Sequence, residues 1–235
     1  MKNPTPASLL LLLISFSGVL SETNLQQKVF VFPEESDSAM VVVQASIQEP
    51  LTSFTVCLRY YTLLTREYSL FSYATKEQFN QILVLKPSPN QYRIYLGTVF
   101  VTFILPEKKD SKPGWEHICV SWESATGLVE LWLDGEPLPR MGLLKSQCIN
   151  PEANIVLGQD QDSFGGGFDA SQSFVGEMKD VYMWKRVLNA DEVGLVLSDY
   201  VLSDSLINWR ALNYDIKGYV VLQPSQTPSP YGVQS

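Results

Sequence analysis

The chain has 235 residues, of which 45% are hydrophobic, and a formal net charge of −8 with a pI near 4.7. That length and composition can bury a sizeable core, and the acidic balance leaves no basic footprint for nucleic acid or an anionic membrane. Acidity can attract cations, but alone it names no partner.

The first segment reads as a targeting signal. Lys2 gives a positive start, "SLLLLLISFSGVL" an apolar core, and Val19-Leu20-Ser21 a small-residue cleavage site, so residues 1–21 are predicted to be a secretory signal peptide. The apolar run is too short for an ordinary membrane-spanning helix, and no later stretch is long enough to cross a bilayer. The expected product is secreted into an oxidising, calcium-rich extracellular space. Of three cysteines, Cys57 in "FTVCLRYY" and Cys119 in "HICVSWES" lie in strand-like segments, which favours them as the intramolecular pair. Cys148, among turn formers in "KSQCINPE", is then a free thiol or an intermolecular link.

Period-two alternation dominates the rest of the chain. "KVFVF", "MVVVQA", "FTVCLRYY", "YSLFSYA", "QILVLK", "QYRIYLG", "VFVTFIL", "HICVSWE", "LVELWLDG", "NIVLGQ", "SFVGEMKDVYMW" and "GYVVLQ" all read as strands. "KPSPN", Lys86 to Asn90, is expected to break two of them, and Asp134-Gly135 to make a hairpin turn. One helix is predicted in "NADEVGLVLSDY", with Asn189 as N-cap, Glu192 at capping-box spacing and a buried stripe of Val193, Val196 and Leu197. The fold class is therefore all-β, a two-sheet jelly-roll sandwich with one α-helix on one face. Residues 22–223 form one domain, and residues 224–235, rich in Pro, Ser and Gln, are expected to be a flexible tail.

The chemistry concentrates in "GQDQDSFGGGFDASQSFVGE", Gly158 to Glu177. Asp160 and Asp162 share a side if the segment is extended, while Gln161 points away and has only its main-chain oxygen to offer. Asp169 and Gln172 come after a glycine turn. Calcium takes six to eight oxygens of these kinds. No His or Cys is present, which disfavours zinc or copper. Three readings stay open on spacing alone: a cation cage, a solvated acidic turn, or a pair of catalytic carboxylates as in jelly-roll glycosidases. His117, the one histidine, shares a strand face with Cys119 and Ser121 and reads as structural rather than as part of a catalytic triad.

"HICVSWES", His117 to Ser124, matches the pattern His-x-Cys-x-Ser/Thr-Trp-x-Ser/Thr. Together with "KVFVFPEES", "YSLFSYATK", "NIVLGQDQDSFGGGFDASQSFVGE", "VYMW" and "NWRALNYDIKGYVV", it resembles the short pentraxins across residues 22–223. The resemblance implies a non-enzymatic, lectin-like pattern-recognition protein of innate immunity and the acute phase. It implies a non-covalent homo-oligomer, a ring of five, with a Cys57–Cys119 disulfide. Two calcium ions per subunit would sit opposite the helix, held by Asn80, Asp160, the main-chain oxygen of Gln161, Asp162, Asp169 and Gln172. A phosphate or carboxylate on a head group, polysaccharide or microbial surface would complete the coordination, beside an apolar slot of Leu83, Leu85 and Tyr95. Complement components are the implied protein partners.

The sequence also departs from that pattern. In "ATKEQFNQIL", Phe79 stands where a calcium-binding aspartate is expected, and a phenyl ring has no oxygen to give. Asp160 replaces the usual glutamate. Where relatives meet a choline cation with a glutamate, the matching position is Phe100. The first ion site is expected to be weakened, phosphocholine to be a poor ligand, and a structural ring without calcium is the alternative that Phe79 favours.

Overall fold

The structure of the protein is a computed structural model that describes residues 24–106 and 113–226. The predicted signal segment, 1–21, and positions 227–235 of the predicted tail lie outside the described residues.

The first seven strands are β1 (Lys28–Phe32), β2 (Met40–Val43), β3 (Ser53–Tyr61), β4 (Tyr68–Ala74), β5 (Ile82–Ser88), β6 (Gln91–Leu96) and β7 (Val99–Ile104). Then come β8 (Glu116–Glu123), β9 (Leu128–Leu133), β10 (Glu136–Pro137), β11 (Met141–Gly142), β12 (Asn154–Leu157) and β13 (Gly176–Trp184). The helix α1 (Ala190–Leu197) precedes β14 (Ser205–Ile207), β15 (Tyr214–Lys217) and β16 (Val221–Pro224). They form two antiparallel sheets. One runs β10-β9-β8-β3-β13-β1-β16, with β11 on β9 and β14 on β13; the other runs β15-β2-β12-β4-β5-β6-β7.

The core lies between the sheets and obeys the alternation. On β3, Phe54, Val56, Leu58 and Tyr60 point inward, and on β6 so do Tyr92, Ile94 and Leu96. The opposite face of β3 carries Thr55, Cys57 and Arg59, whose register partners on β8 are Ser121, Cys119 and His117. Cys57 and Cys119 are thus directly opposite one another, and they form the disulfide. The helix covers this face: Thr55 Oγ1 donates to the Arg186 carbonyl at 2.7 Å, and Arg59 donates to the carbonyl of Leu197. Its capping box is complete, with Asn189 Oδ1 accepting from Glu192 N and Glu192 Oε2 accepting from Asn189 N, both at 3.0 Å. Val193 and Val196 are buried; Leu197 is only half-buried.

Two details differ from the expectation drawn from sequence. The strand β5 continues through Pro87 to Ser88 rather than stopping at Lys86, because its register against β6 slips between Leu85 and Ser88, where a proline costs no ladder hydrogen bond. At the other end, Pro224 belongs to β16 and pairs with Lys28. The Asp134-Gly135 hairpin is as predicted, with φ of 51° and 85°.

Candidate metal centre

The acidic loop leaves β12 through Gly158. Its φ is +86°, and a Cβ there would lie 2.5 Å from Cε1 of Phe32, so this corner admits only glycine. The chain then runs along the outer face of β4. Ser69 Oγ donates to the Gln159 carbonyl at 3.0 Å, and two residues on the main-chain nitrogen of Gln161 donates to Ser72 Oγ at 3.3 Å. The side chain of Gln161 turns inward: Nε2 donates to the Ser72 and Asn154 carbonyls, and Oε1 accepts from Asn154 Nδ2 at 2.7 Å and from Gly165 N at 3.1 Å. That leaves Gln161 its main-chain oxygen as the group it can offer to an ion.

Asp160 lies between these two anchors and is 5% exposed. Its Oδ1 is buried and has no hydrogen-bond partner. Burial first, then the charges of Asp162 and Glu67, push its carboxyl from 3.8 up to about 7. Asn80 also carries a buried, unpartnered Oδ1, while its own carbonyl accepts from Gly97 N at 2.7 Å and ties it to the end of β6. Among the described residues, the buried side-chain oxygens without a partner are Asn80 Oδ1, Ser121 Oγ, Gln159 Oε1 and Asp160 Oδ1. A buried oxygen left unpaired is costly, so each needs a compensating donor or cation.

Past the glycines, Gly167 at φ +75° packs against Asp162, where a Cβ would sit 2.9 Å from that residue's own Cβ. Asp162 is exposed. Asp169 caps a 3-10 turn at Ala170–Gln172, and the Ser171 amide, 2.8 Å away, holds its carboxyl below the ordinary range. Arg66 fixes this turn by donating to the Ser171 and Ser173 carbonyls at 3.0 and 2.7 Å. Gln172 Nε2 donates to Glu67 Oε1 at 3.0 Å. The loop therefore spans β4: Gln172 stands at its start beside Glu67, Asn80 comes after its far end, and Asp160 lies between.

Glu67 is the neighbour that sequence spacing missed, because it sits far from the loop in the chain and immediately before β4. Phe79 is 42% exposed and brings no donor atom. The carboxylates of Asp160, Asp162 and Asp169 do not gather tightly; the one His, Cys and acid triplet with ligand atoms within 4.8 Å among the described residues is Cys57, His117 and Cys119. Both cysteines of that triplet are in the disulfide, so it offers no thiolate. His117 is 3% exposed, and burial followed by the Arg59 charge lowers its pKa to about 3. It is a neutral structural histidine.

Leu83, Leu85 and Tyr95 share the outer face of the same sheet, since Leu83 pairs with Ser72 and with Tyr95. They do not form an open slot: Leu83 and Leu85 are 1% and 2% exposed, and Tyr95 is half-buried. Tyr95 packs on Phe100 with ring centroids 4.9 Å apart.

The donor set is all oxygen, with hard carboxylates and amides and two desolvated oxygens lacking partners. It fits a hard cation such as calcium and offers nothing that would select zinc or copper.

Comparison with known proteins identifies the family. The model of the Pentaxin family matches residues 28–224. The chain is 46% identical to mouse (Mus musculus) C-reactive protein over 217 residues, covering 92% of this chain and 95% of that protein. It is 44% identical to guinea pig (Cavia porcellus) serum amyloid P-component over 209 residues, covering 89% of this chain and 92% of that protein. Among solved structures, the native heptameric SAP-like pentraxin from Limulus polyphemus superposes with a TM-score of 0.77 at 22% identity, covering 87% of this chain and 98% of that one, a likeness of fold. The chain belongs to the pentraxin family, whose members are non-enzymatic, calcium-binding pattern-recognition proteins of innate immunity.

Proposed function

We propose that the protein is a secreted, calcium-dependent, lectin-like binder of phosphate- or carboxylate-bearing groups on microbial surfaces, damaged cells or matrix. Its main support is the pair of buried oxygens without partners, Asp160 Oδ1 in the acidic loop and Asn80 Oδ1 in the β4–β5 connection, among candidate donors that are all oxygens. Asn80, Asp160, the Gln161 carbonyl and Asp162 would hold a first ion, and Asp160, Asp162, Asp169 and Gln172 a second. Bound calcium supplies a positive centre on which the anion of a ligand completes the coordination. The protein's own part is to hold the cage: Ser69 and Ser72 pin the loop to β4, and Gln161 locks its own amide inward so that its carbonyl is presented.

With Phe79 in place of an acid, the first site has fewer charges than the second and fills at higher calcium. Oxygen cages in extracellular modules bind calcium with Kd as weak as about 10⁻⁴–10⁻³ M, and losing a carboxylate moves a site toward that end. A ring of five subunits would present five such sites on one face and convert weak binding into avidity. No helix among the described residues is long and apolar enough to cross a membrane. Complement components remain the proposed protein partners of the ring.

Titration calorimetry with calcium tests this reading. One tighter and one weaker ion per subunit is the expected result; two equally tight ions, or none, would contradict it. If no ion binds, a ring that serves as a calcium-free scaffold becomes the better description.

A further inference from the structure

The outer face of β5, β6 and β7 carries a cation that the calcium cage does not use. Arg93 on β6 pairs in register with Leu85 on β5 and Thr102 on β7, and Tyr95, two residues on, pairs with Leu83 and Phe100. Residues opposite one another across a ladder share a face, so Arg93, Tyr95, Phe100 and the two leucines lie together. The guanidinium carbon of Arg93 sits 4.8 Å from the centre of the Phe100 ring, and Nη1 donates to Tyr95 Oη at 3.3 Å. Its Nε is buried and has no hydrogen-bond partner. No acidic side chain among the described residues forms an ion pair with it. Stacking on an aromatic ring holds the guanidinium in place without neutralising it.

The position of this cation relative to the acidic loop is set by the sheet order. The loop is pinned to β4 through Ser69 and Ser72, and β6 is two strands away on the same face, a lateral offset of about 10 Å. The guanidinium stacks on Phe100 of β7, on the far side of β6 from the loop, so a ligand must span that offset. Between the two lie the closed leucine floor and the Tyr95 ring, which have no charge.

We propose that Arg93 is an anion subsite that makes the protein select ligands carrying two acidic groups, one for the calcium and one for the guanidinium, joined by a short apolar or sugar spacer. The same cation excludes ligands whose second group is a quaternary ammonium, because like charges would meet at a partly buried position. Phe100 contributes by holding the guanidinium flat and by offering no carboxylate that would pair with it. The inference rests on the calcium reading for the first acidic group and adds the second.

A matched set of probes tests it. Carboxyalkyl phosphates with two to six methylenes, the corresponding alkyl phosphates that lack the carboxylate, and phosphocholine are titrated into the full chain in millimolar calcium and again in chelator. In calcium, the best carboxyalkyl phosphate should bind about two- to fivefold tighter than its alkyl partner, as expected for one partly exposed charge pair, and phosphocholine should bind more weakly than either. Arg93→Gln should abolish the difference between the first two probes, and Arg93→Lys should keep part of it. Phe100→Glu changes a side chain that is 49% exposed, so it should fold normally, and by pairing with Arg93 it should abolish the same difference and improve phosphocholine. Equal, calcium-dependent binding of carboxyalkyl and alkyl phosphates by the unmutated chain overturns the Arg93 subsite alone. A carboxylate preference that survives in chelator and is lost in Arg93→Gln upholds the subsite and overturns the calcium reading. No binding of any phosphate in calcium overturns both.

Discussion

The side-chain amide of Gln172 donates to the carboxylate of Glu67 at 3.0 Å, joining the turn after the glycine bend to the start of β4. The bond occupies the amide nitrogen and so leaves Oε1 as the atom that Gln172 would present to an ion in the proposed cage. Glu67 also adds negative charge near Asp160. Removing a partner that orients a metal ligand typically weakens binding by 10–100-fold. Glu67→Ala should therefore weaken the tighter calcium site by about tenfold in calorimetry. Unchanged affinity would mean that Gln172 is placed by its own turn.

Phe79 occupies an exposed position beside Asn80, where a carboxylate could reach the first ion without being buried. Phe79→Asp should tighten the weaker site by about tenfold or more, with little change in stability, because the ring is not part of the core. Calorimetry of the variant against the parent reads this directly. No gain would show that Phe79 is not what limits that site.

Asp160 sets a pH dependence. Its folded carboxyl is raised to about 7 from 3.8, so the ion-free folded chain holds a proton that the unfolded chain releases. Stability from that proton is present below about pH 4 and is lost as pH rises through 7. In the proposed cage, calcium would have to displace the same proton. Its apparent affinity should fall by up to about tenfold per pH unit below 7, and binding should release close to one proton at pH 6. Calorimetry in buffers of different ionisation enthalpy measures the release. Asp160→Asn should abolish it together with most of the binding.

His117 acts in the opposite sense. Burial lowers its pKa to about 3 from 6.5, so the unfolded chain takes up a proton first as pH falls. The stability it contributes is present above 6.5 and drains away between 6.5 and 3, on the order of a few kcal/mol in all. Denaturant unfolding in chelator, on an Asp160→Asn background, separates this from the loop. His117→Gln should flatten the profile between pH 6 and 4; an unchanged slope would mean another group carries it.

Much of the fold was legible in the sequence because alternation and capping act locally. The long strands, the Asp134-Gly135 hairpin and the Asn189–Glu192 capping box are all set by residues within a few positions of one another. Some short peripheral strands were not legible, although the edge strands β7 and β16 were. The pairs Glu136-Pro137 and Met141-Gly142 are too short to show a period, and Tyr214–Lys217 at a sheet edge is half-exposed to exposed, with no alternation to read. For the metal centre, the oxygen-rich loop stood out by composition. Its neighbour Glu67 did not: it meets Gln172 only because the loop folds back across β4, which no local pattern records. Leu83 and Leu85 show the reverse case. Alternation put them on one face, and only the folded chain reveals that they are closed over.

The most direct test of the calcium cage is diffraction from crystals grown in millimolar calcium. The predicted result is an ion within bonding distance of Asp160 Oδ1, with Asp169 and Gln172 completing the better-filled position. Water alone beside Asp160, with its carboxyl turned away or hydrogen-bonded elsewhere, would contradict it.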